Sequence, residues 1–178
     1  MIIALVGRRV DAADAKQARF PLQNVGIVKA RVGAMLENLG ATAVVCSAAC
    51  GADLIALSEA EFRGLRRRVI LPFERKLFRD TSVIDRPGDW SGLYDKLLDA
   101  AEAAGDLIVL QNRPGDEAYS ACIRAILDDA IALGRTVHEP VTCVLIWNGV
   151  SRGNHDFTEE FSVEARRRGL AVAEVRTT

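Results

Sequence analysis

Six short apolar or β-branched runs punctuate this chain, at residues 2–6, 42–46, 69–71, 106–110, 141–147 and 170–175, and a longer stretch with helical apolar spacing separates each from the next. A run with almost no polar alternation fits a strand covered on both faces. Strands that alternate with helices through short connections build a parallel sheet with helices on either side. The spacing predicts helices over 25–39, 53–62, 89–104, 116–134 and 156–168. Gly40 stops the first, Asp116 can cap the fourth, and Asp156 or Thr158 can cap the fifth. Residues 11–23 and 73–88 read as irregular polar connections. The expected architecture is a three-layer, Rossmann-like α/β fold with a mostly parallel sheet flanked by helices. Neither a repeat nor a linker interrupts the 178 residues, so a single domain is expected over 1–178.

Charge narrows the partners. Lys and Arg number 23, Asp and Glu 24, for a net charge of −1. Such a balance gives no sequence-independent grip on nucleic acid, so no such partner is expected. The runs Arg66-Arg67-Arg68 and Arg166-Arg167-Arg168 read as helix-end residues that complement the helix dipole. The apolar start, residues 1–6, is too short for a signal peptide or a membrane span, and no later run is long enough either. No membrane association is expected, and the location is expected to be cytoplasmic. Cys46, Cys50, Cys122 and Cys143 lack the paired spacing of a zinc site, so they read as buried apolar residues in a reducing compartment. No metal and no cofactor are expected.

In open parallel sheets, ligands bind beyond the carboxyl ends of the strands, where the strand order reverses. Every unusual loop in this chain follows a strand. Gly7-Arg8-Arg9 offers close backbone approach and guanidinium groups able to grip phosphate, or simply a turn with solvated arginines. Ser47-Ala48-Ala49-Cys50-Gly51-Ala52-Asp53 leaves backbone N–H groups uncovered at a helix start, which attracts anions, or else allows close helix–sheet packing. It matches neither GxGxxG nor a Walker loop. Leu71-Pro72-Phe73 with Phe78-Arg79-Asp80-Thr81-Ser82-Val83 offers a polar lining and a stacking surface at Phe73, or a surface connection with apolar anchors. Trp147-Asn148-Gly149 with Gly153-Asn154-His155-Asp156-Phe157-Thr158 offers further N–H groups for phosphate. His155 there is an acid–base candidate or a surface residue.

Taken in order, these loops resemble the SLOG superfamily, which includes the LOG nucleotide phosphoribohydrolases and the Rossmann domain of DNA-processing protein A. The likeness rests on Gly7-Arg8-Arg9-Val10-Asp11, Arg19-Phe20-Pro21, the segment from Ser47 to Asp53, Leu71 to Phe73, Phe78 to Val83, Trp147-Asn148-Gly149 and Gly153 to Thr158. It implies a nucleotide or nucleotide-derived small-molecule ligand, and a homo-oligomer. Two departures bear on activity. LOG enzymes carry Pro-Gly-Gly-x-Gly-Thr-x-x-Glu, and with Thr158 in the Thr position the Glu position holds Phe161. Asn148 also stands where relatives usually have Asp.

The expected function is therefore binding, or sensing, of a nucleotide-derived ligand without catalysis. Expected ligand-binding residues are Gly7, Arg8, Ser47, Ala48, Cys50, Gly51, Asp53, Phe73, Arg79, Thr81, Ser82, Trp147, Asn148, Gly149, Gly153, Asn154 and Thr158. Phosphate is assigned to the backbone at 47–51 and 153–158 with Arg8 or Arg79, and the base to Phe73 or Trp147. The alternative is a LOG-like phosphoribohydrolase that cleaves an N-glycosidic bond with Glu159, Glu160 or Asp156 in place of the missing Glu.

Overall fold

The computed structural model describes residues 1–178. In chain order it contains β1 (Ile2–Gly7), a 3₁₀ turn (Leu22–Asn24), α1 (Val25–Asn38), β2 (Ala43–Cys46), α2 (Ala52–Phe62), β3 (Arg66–Leu71), α3 (Arg75–Ser82), α4 (Ser91–Ala103), β4 (Leu107–Val109), α5 (Asp116–Val137), β5 (Val141–Trp147), α6 (Phe157–Arg167) and β6 (Ala171–Arg176). The strands form one sheet in the order β4-β3-β2-β1-β5-β6, and every pairing is parallel.

Alternate residues along each strand feed two cores, as the two-residue period of a strand requires. Ile3, Leu5, Val44, Val69, Leu71 and Val144 pack with Val28, Val32 and Leu36 of α1, Leu54 and Leu57 of α2, and Tyr94 and Leu98 of α4. Ile2, Ala4, Val45, Ile70 and Leu145 pack on the opposite face with Ile126, Leu127 and Ala130 of α5 and Phe161 and Ala165 of α6. The first crossovers step outward from β1 to β4 on one face. Then α5 carries the chain back over the other face to β5, beside β1. The strand order thus reverses between β1 and β5.

Two sequence expectations are corrected. Arg66, Arg67 and Arg68 begin β3 instead of ending a helix. Their charges are met there by carboxylates: Asp106 takes Arg66 and Arg68, Asp129 takes Arg68, and Glu61 takes Arg67. Residues 75–82 form α3, inside the stretch read as irregular. Glu74 starts it, accepting from the N–H groups of Lys76 and Leu77 at 2.7 and 2.9 Å. The Arg166-Arg167 pair does end α6, as expected.

Candidate functional site

A cavity of about 560 Å³ opens beyond the carboxyl ends of β1, β2 and β5, at the reversal of strand order. Gly7, Arg8, Ser47, Asp53, Ser82 and Thr158 line it, so part of each expected segment reaches the same place. Glycine sets this geometry at two positions. A Cβ on Gly7 would lie 2.4 Å from the Ala52 Cβ and 2.5 Å from the Ile146 carbonyl oxygen. Gly51 has a φ of +91°, and a Cβ there would meet the Val10 nitrogen at 2.8 Å and the Arg8 oxygen at 2.9 Å. Loop 8–10 and the start of α2 are therefore in direct backbone contact, sealed by the Ala52 N–H donating to the Arg8 carbonyl at 3.1 Å.

Arg8 is buried and already engaged. Its Nη1 and Nη2 donate to the two carboxylate oxygens of Asp156 at 2.6 and 2.7 Å, and Nη2 also donates to the Val150 carbonyl at 2.8 Å. The Arg8 guanidinium lies 5.6 Å from the Trp147 ring centre, so Trp147 backs an arginine and does not face the cavity. Asp156 in turn caps α6, accepting from the N–H groups of Thr158 at 3.1 Å and Glu159 at 3.3 Å. The Arg152 N–H reaches it at 2.7 Å. Burial alone would raise the Asp156 carboxyl; the Arg8 hydrogen bonds, those backbone donors and the Arg8 charge outweigh it and hold it at about 2.

Part of the loop at 47–53 is likewise committed. The Ala49 N–H donates to Asp53 Oδ2 at 3.1 Å and the Cys50 N–H to the Ser82 carbonyl at 3.0 Å. Ala48, Cys50 and Gly51 are buried and do not line the cavity. Gly51 lets the start of α2 pack closely on loop 8–10. Burial raises the nearby thiols, Cys46 at the end of β2 well above its ordinary value and Cys50 in the loop to about 12. Burial also pushes the Asp53 carboxyl up to about 7, against the Ala49 hydrogen bond and the charge of Arg9. Asp53 Oδ1 and Ser47 Oγ are buried without a partner.

Other expected residues lie elsewhere. Phe73 is buried in the core, edge-on to Tyr119 at 5.8 Å. Arg79 pairs with Asp95 at 3.1 Å, and neither it nor Thr81 lines the cavity. The Arg176 guanidinium at the end of β6 covers Gly149, and Asn148 does not line the cavity. Gly153 and Asn154 are exposed on the α6 side of the mouth. His155 lines that mouth, with Nδ1 2.7 Å from Asp116. Glu159 is bonded to Ser151 and Glu160 to Ser120, and neither faces the cavity.

Two parts of the lining were given no role in the site from the sequence. Tyr119 of α5 and Phe157 of α6 form an aromatic wall, their ring centres 5.2 Å apart and tilted by 34°. Ala12, Ala15, Lys16, Gln17 and Arg19 form a flap. Asp11 ties the flap shut: its Oδ2 accepts from the Arg19 and Phe20 N–H groups at 2.9 and 3.0 Å, and its own N–H donates to the Phe20 carbonyl at 2.9 Å. The spacing of Asp11 from Arg19-Phe20-Pro21 carried that signal. Arg8, Arg9, Lys16, Arg19, Arg86 and Arg152 line the cavity with Asp11, Asp53 and Asp116, while Asp156 pairs with Arg8, and Asp85 with Arg9 and Arg86, from outside the lining. In a chain of net charge −1 this is a local surplus of positive charge. Arg152 registers it: burial, then repulsion from Arg8, Arg19 and Arg9, lowers its proton affinity even with Asp156 nearby.

No three or more His, Cys, Asp or Glu side chains are grouped so as to hold a metal ion, and no helix is long and apolar enough to cross a membrane. No protein-family model and no curated protein matches the chain. Among solved structures, it is similar to the X-ray structure of DNA processing protein A (DprA) from Streptococcus pneumoniae, with 14% identity and a TM-score of 0.44 over 97% of this chain. The match spans 57% of the length of that protein's chain, and the fold assigned here, a Rossmann-like α/β sandwich, rests on the strand order and the two-faced packing described above.

Proposed function

We propose that this chain is a SLOG-like domain that binds a nucleotide or nucleotide-derived small molecule without transforming it. The observation that carries this reading is the division of the cavity: an aromatic wall of Tyr119 and Phe157, and a mouth and flap with a surplus of cations. A flat base is favoured against the first and a phosphate against the second. The phosphate partners are Lys16, Arg19 and Arg152, since the Arg8 guanidinium is held by Asp156 and that of Arg9 by Asp85. Binding without turnover fits the state of the carboxylates. Asp156 is locked on Arg8, and Glu159 and Glu160 are bonded away from the cavity.

The test is calorimetric titration with a panel of nucleoside mono- and diphosphates at low and high salt, paired with chromatography for released base. Saturable binding that weakens with salt, with no base released, is the expected result. Failure of the whole panel to bind would overturn the reading. Release of free base would favour the phosphoribohydrolase alternative.

A further inference from the structure

Residues 13–18 of the flap are all exposed, so no buried side chain holds the flap down and its orientation is set at its neck. Arg19 is that neck, and side chains take both of its backbone groups. Its N–H donates to Asp11 Oδ2 at 2.9 Å, and its carbonyl accepts from the Thr177 hydroxyl. Thr177 follows β6 and is fully buried. It is itself fixed on every side. Its N–H donates to the Trp147 carbonyl at 3.1 Å, its carbonyl accepts from Asn24 Nδ2 at 2.8 Å, and the Arg176 carbonyl before it accepts from Arg31 at 2.7 Å. One hydroxyl thus hooks the flap to the end of β5 and the start of α1.

From that hook the Arg19 side chain crosses the mouth. Its Nη1 donates to the Val150 carbonyl at 3.0 Å and its Nη2 to Gln17 Oε1 at 2.9 Å, which leaves the other donors of the guanidinium for an anion. Val150 belongs to the loop that leaves β5 at Trp147. The end of β5 therefore both fixes Thr177 and carries the loop on which the Arg19 guanidinium rests.

We propose that Thr177 is a positioning residue for the ligand phosphate: its hydroxyl holds the neck of the flap where the Arg19 guanidinium bridges the mouth. This rests on the nucleotide reading and on Arg19 as a phosphate partner. Thr177 does not line the cavity, so it acts through Arg19 and touches no ligand atom. A guanidinium held in place before binding loses less freedom when the phosphate arrives, which raises affinity without a new contact.

The experiment is low-salt calorimetric titration of adenosine 5′-monophosphate, or of the tightest-binding nucleotide of the panel. The proteins are wild type, Thr177→Ser, Thr177→Ala, Arg19→Ala and the double variant Arg19→Ala with Thr177→Ala, each with a thermal melt. Ser and Ala at 177 both lack the methyl group and differ in the hydroxyl. Thr177→Ser is expected to bind within about twofold of wild type and Thr177→Ala about fivefold or more weaker, the scale of one hydrogen bond. Arg19→Ala is expected to bind about tenfold or more weaker, and in that background Thr177→Ala is expected to cost no further affinity. Should Thr177→Ala not fold, Thr177→Val, which lacks the hydroxyl but keeps the volume, takes its place in the same comparisons. If the variant without the hydroxyl binds as Thr177→Ser does, or if its loss of affinity persists undiminished in the Arg19→Ala background, the positioning role is overturned and the nucleotide reading stands. If Arg19→Ala binds as wild type does, Arg19 is no phosphate partner and the positioning role falls with it. If the wild type binds no nucleotide of the panel, both readings fall.

Discussion

The guanidinium of Arg8 and the carboxylate of Asp156, 148 residues apart in sequence, form a two-pronged pair at 2.6 and 2.7 Å, with 4% and 1% of their side chains exposed. The pair sits where β1 and β5 diverge and where α6 begins. A helix N-terminus beside a buried guanidinium is a ready anion site. Here the chain's own Asp156 fills it. The arginine is thereby part of the scaffold and is not free to clamp a phosphate.

Breaking this pair is expected to be unequal in its two directions. Asp156→Ala strands Arg8 in the interior and also removes the α6 cap, so it is expected to destabilise by about 3–5 kcal/mol for the pair and about 1 kcal/mol for the cap. Arg8→Ala leaves Asp156 with three backbone N–H donors, at Arg152, Thr158 and Glu159, and is expected to cost less. Urea unfolding of the two variants measures the order. Asp156→Ser keeps a capping oxygen but vacates the anion position, so it is expected to gain affinity for inorganic phosphate, read by calorimetry.

Asp156 and Asp53 are expected to pull stability in opposite directions with pH. Asp156 titrates at about 2 in the fold, below its unfolded value of about 4. Its contribution is present above pH 4 and is lost as pH falls toward 2. Asp53 titrates at about 7 in the fold. The native state then binds more protons than the unfolded chain between pH 4 and 7, so stability drops across that window by roughly 4 kcal/mol, at 1.36 kcal/mol per unit. Asp53→Asn is expected to melt higher than wild type at pH 8, and the advantage is expected to vanish near pH 4. A wild-type melting temperature that rises steadily from pH 4 to 8, unaltered by Asp53→Asn, would contradict this.

How much of this was legible in sequence follows from what each feature depends on. The strands were readable because burial on both faces removes polar alternation, and residues 141–147 delimit β5 as its apolar run does. Arg66 to Arg68 hid the first half of β3, since a strand's exposed end tolerates charge when carboxylates from a neighbouring strand and helix meet it. α3 was hidden because its apolar contacts are few and its start depends on Glu74, an unusual cap. At the site, the segments were legible and the partnering was not. Gly51 and Arg8 are both compatible with phosphate by composition, and only the fold reveals that Val10 backbone abuts the one and Asp156 occupies the other. Tyr119 was masked by its helical spacing, which reads as core.

The two loop glycines are expected to respond differently to added bulk. Gly51 combines a positive φ with backbone atoms inside 3 Å of any Cβ, so Gly51→Ala combines strain of about 1–3 kcal/mol with a clash of similar size. Gly153 has a φ of +83° but open space around it, so Gly153→Ala carries the strain alone. Thermal melts are expected to place Gly51→Ala well below Gly153→Ala. Equal melting temperatures would mean that loop 8–10 yields to the added methyl group.

The aromatic wall gives a prediction that separates base recognition from phosphate recognition. Tyr119 packs against Phe157 and, edge-on, against Phe73, while its hydroxyl lies 3.1 Å from Ser82 Oγ. Stacking of a base on an aromatic side chain contributes about 1–3 kcal/mol. Tyr119→Ala is therefore expected to weaken binding of a nucleoside monophosphate by about 5- to 150-fold, at 1.4 kcal/mol per tenfold. Ribose 5-phosphate has no base, so its affinity is expected to hold in the same variant. Tyr119→Phe keeps the ring and loses only the hydroxyl, so it is expected to bind the nucleotide nearly as wild type does and to lose about 1 kcal/mol of stability from the Ser82 contact. Calorimetric titration of both ligands against both variants, with a melt on each protein, makes the comparison. Equal losses for the nucleotide and for ribose 5-phosphate in Tyr119→Ala would mean that the substitution collapses the cavity, and an unchanged nucleotide affinity would mean that the base lies elsewhere.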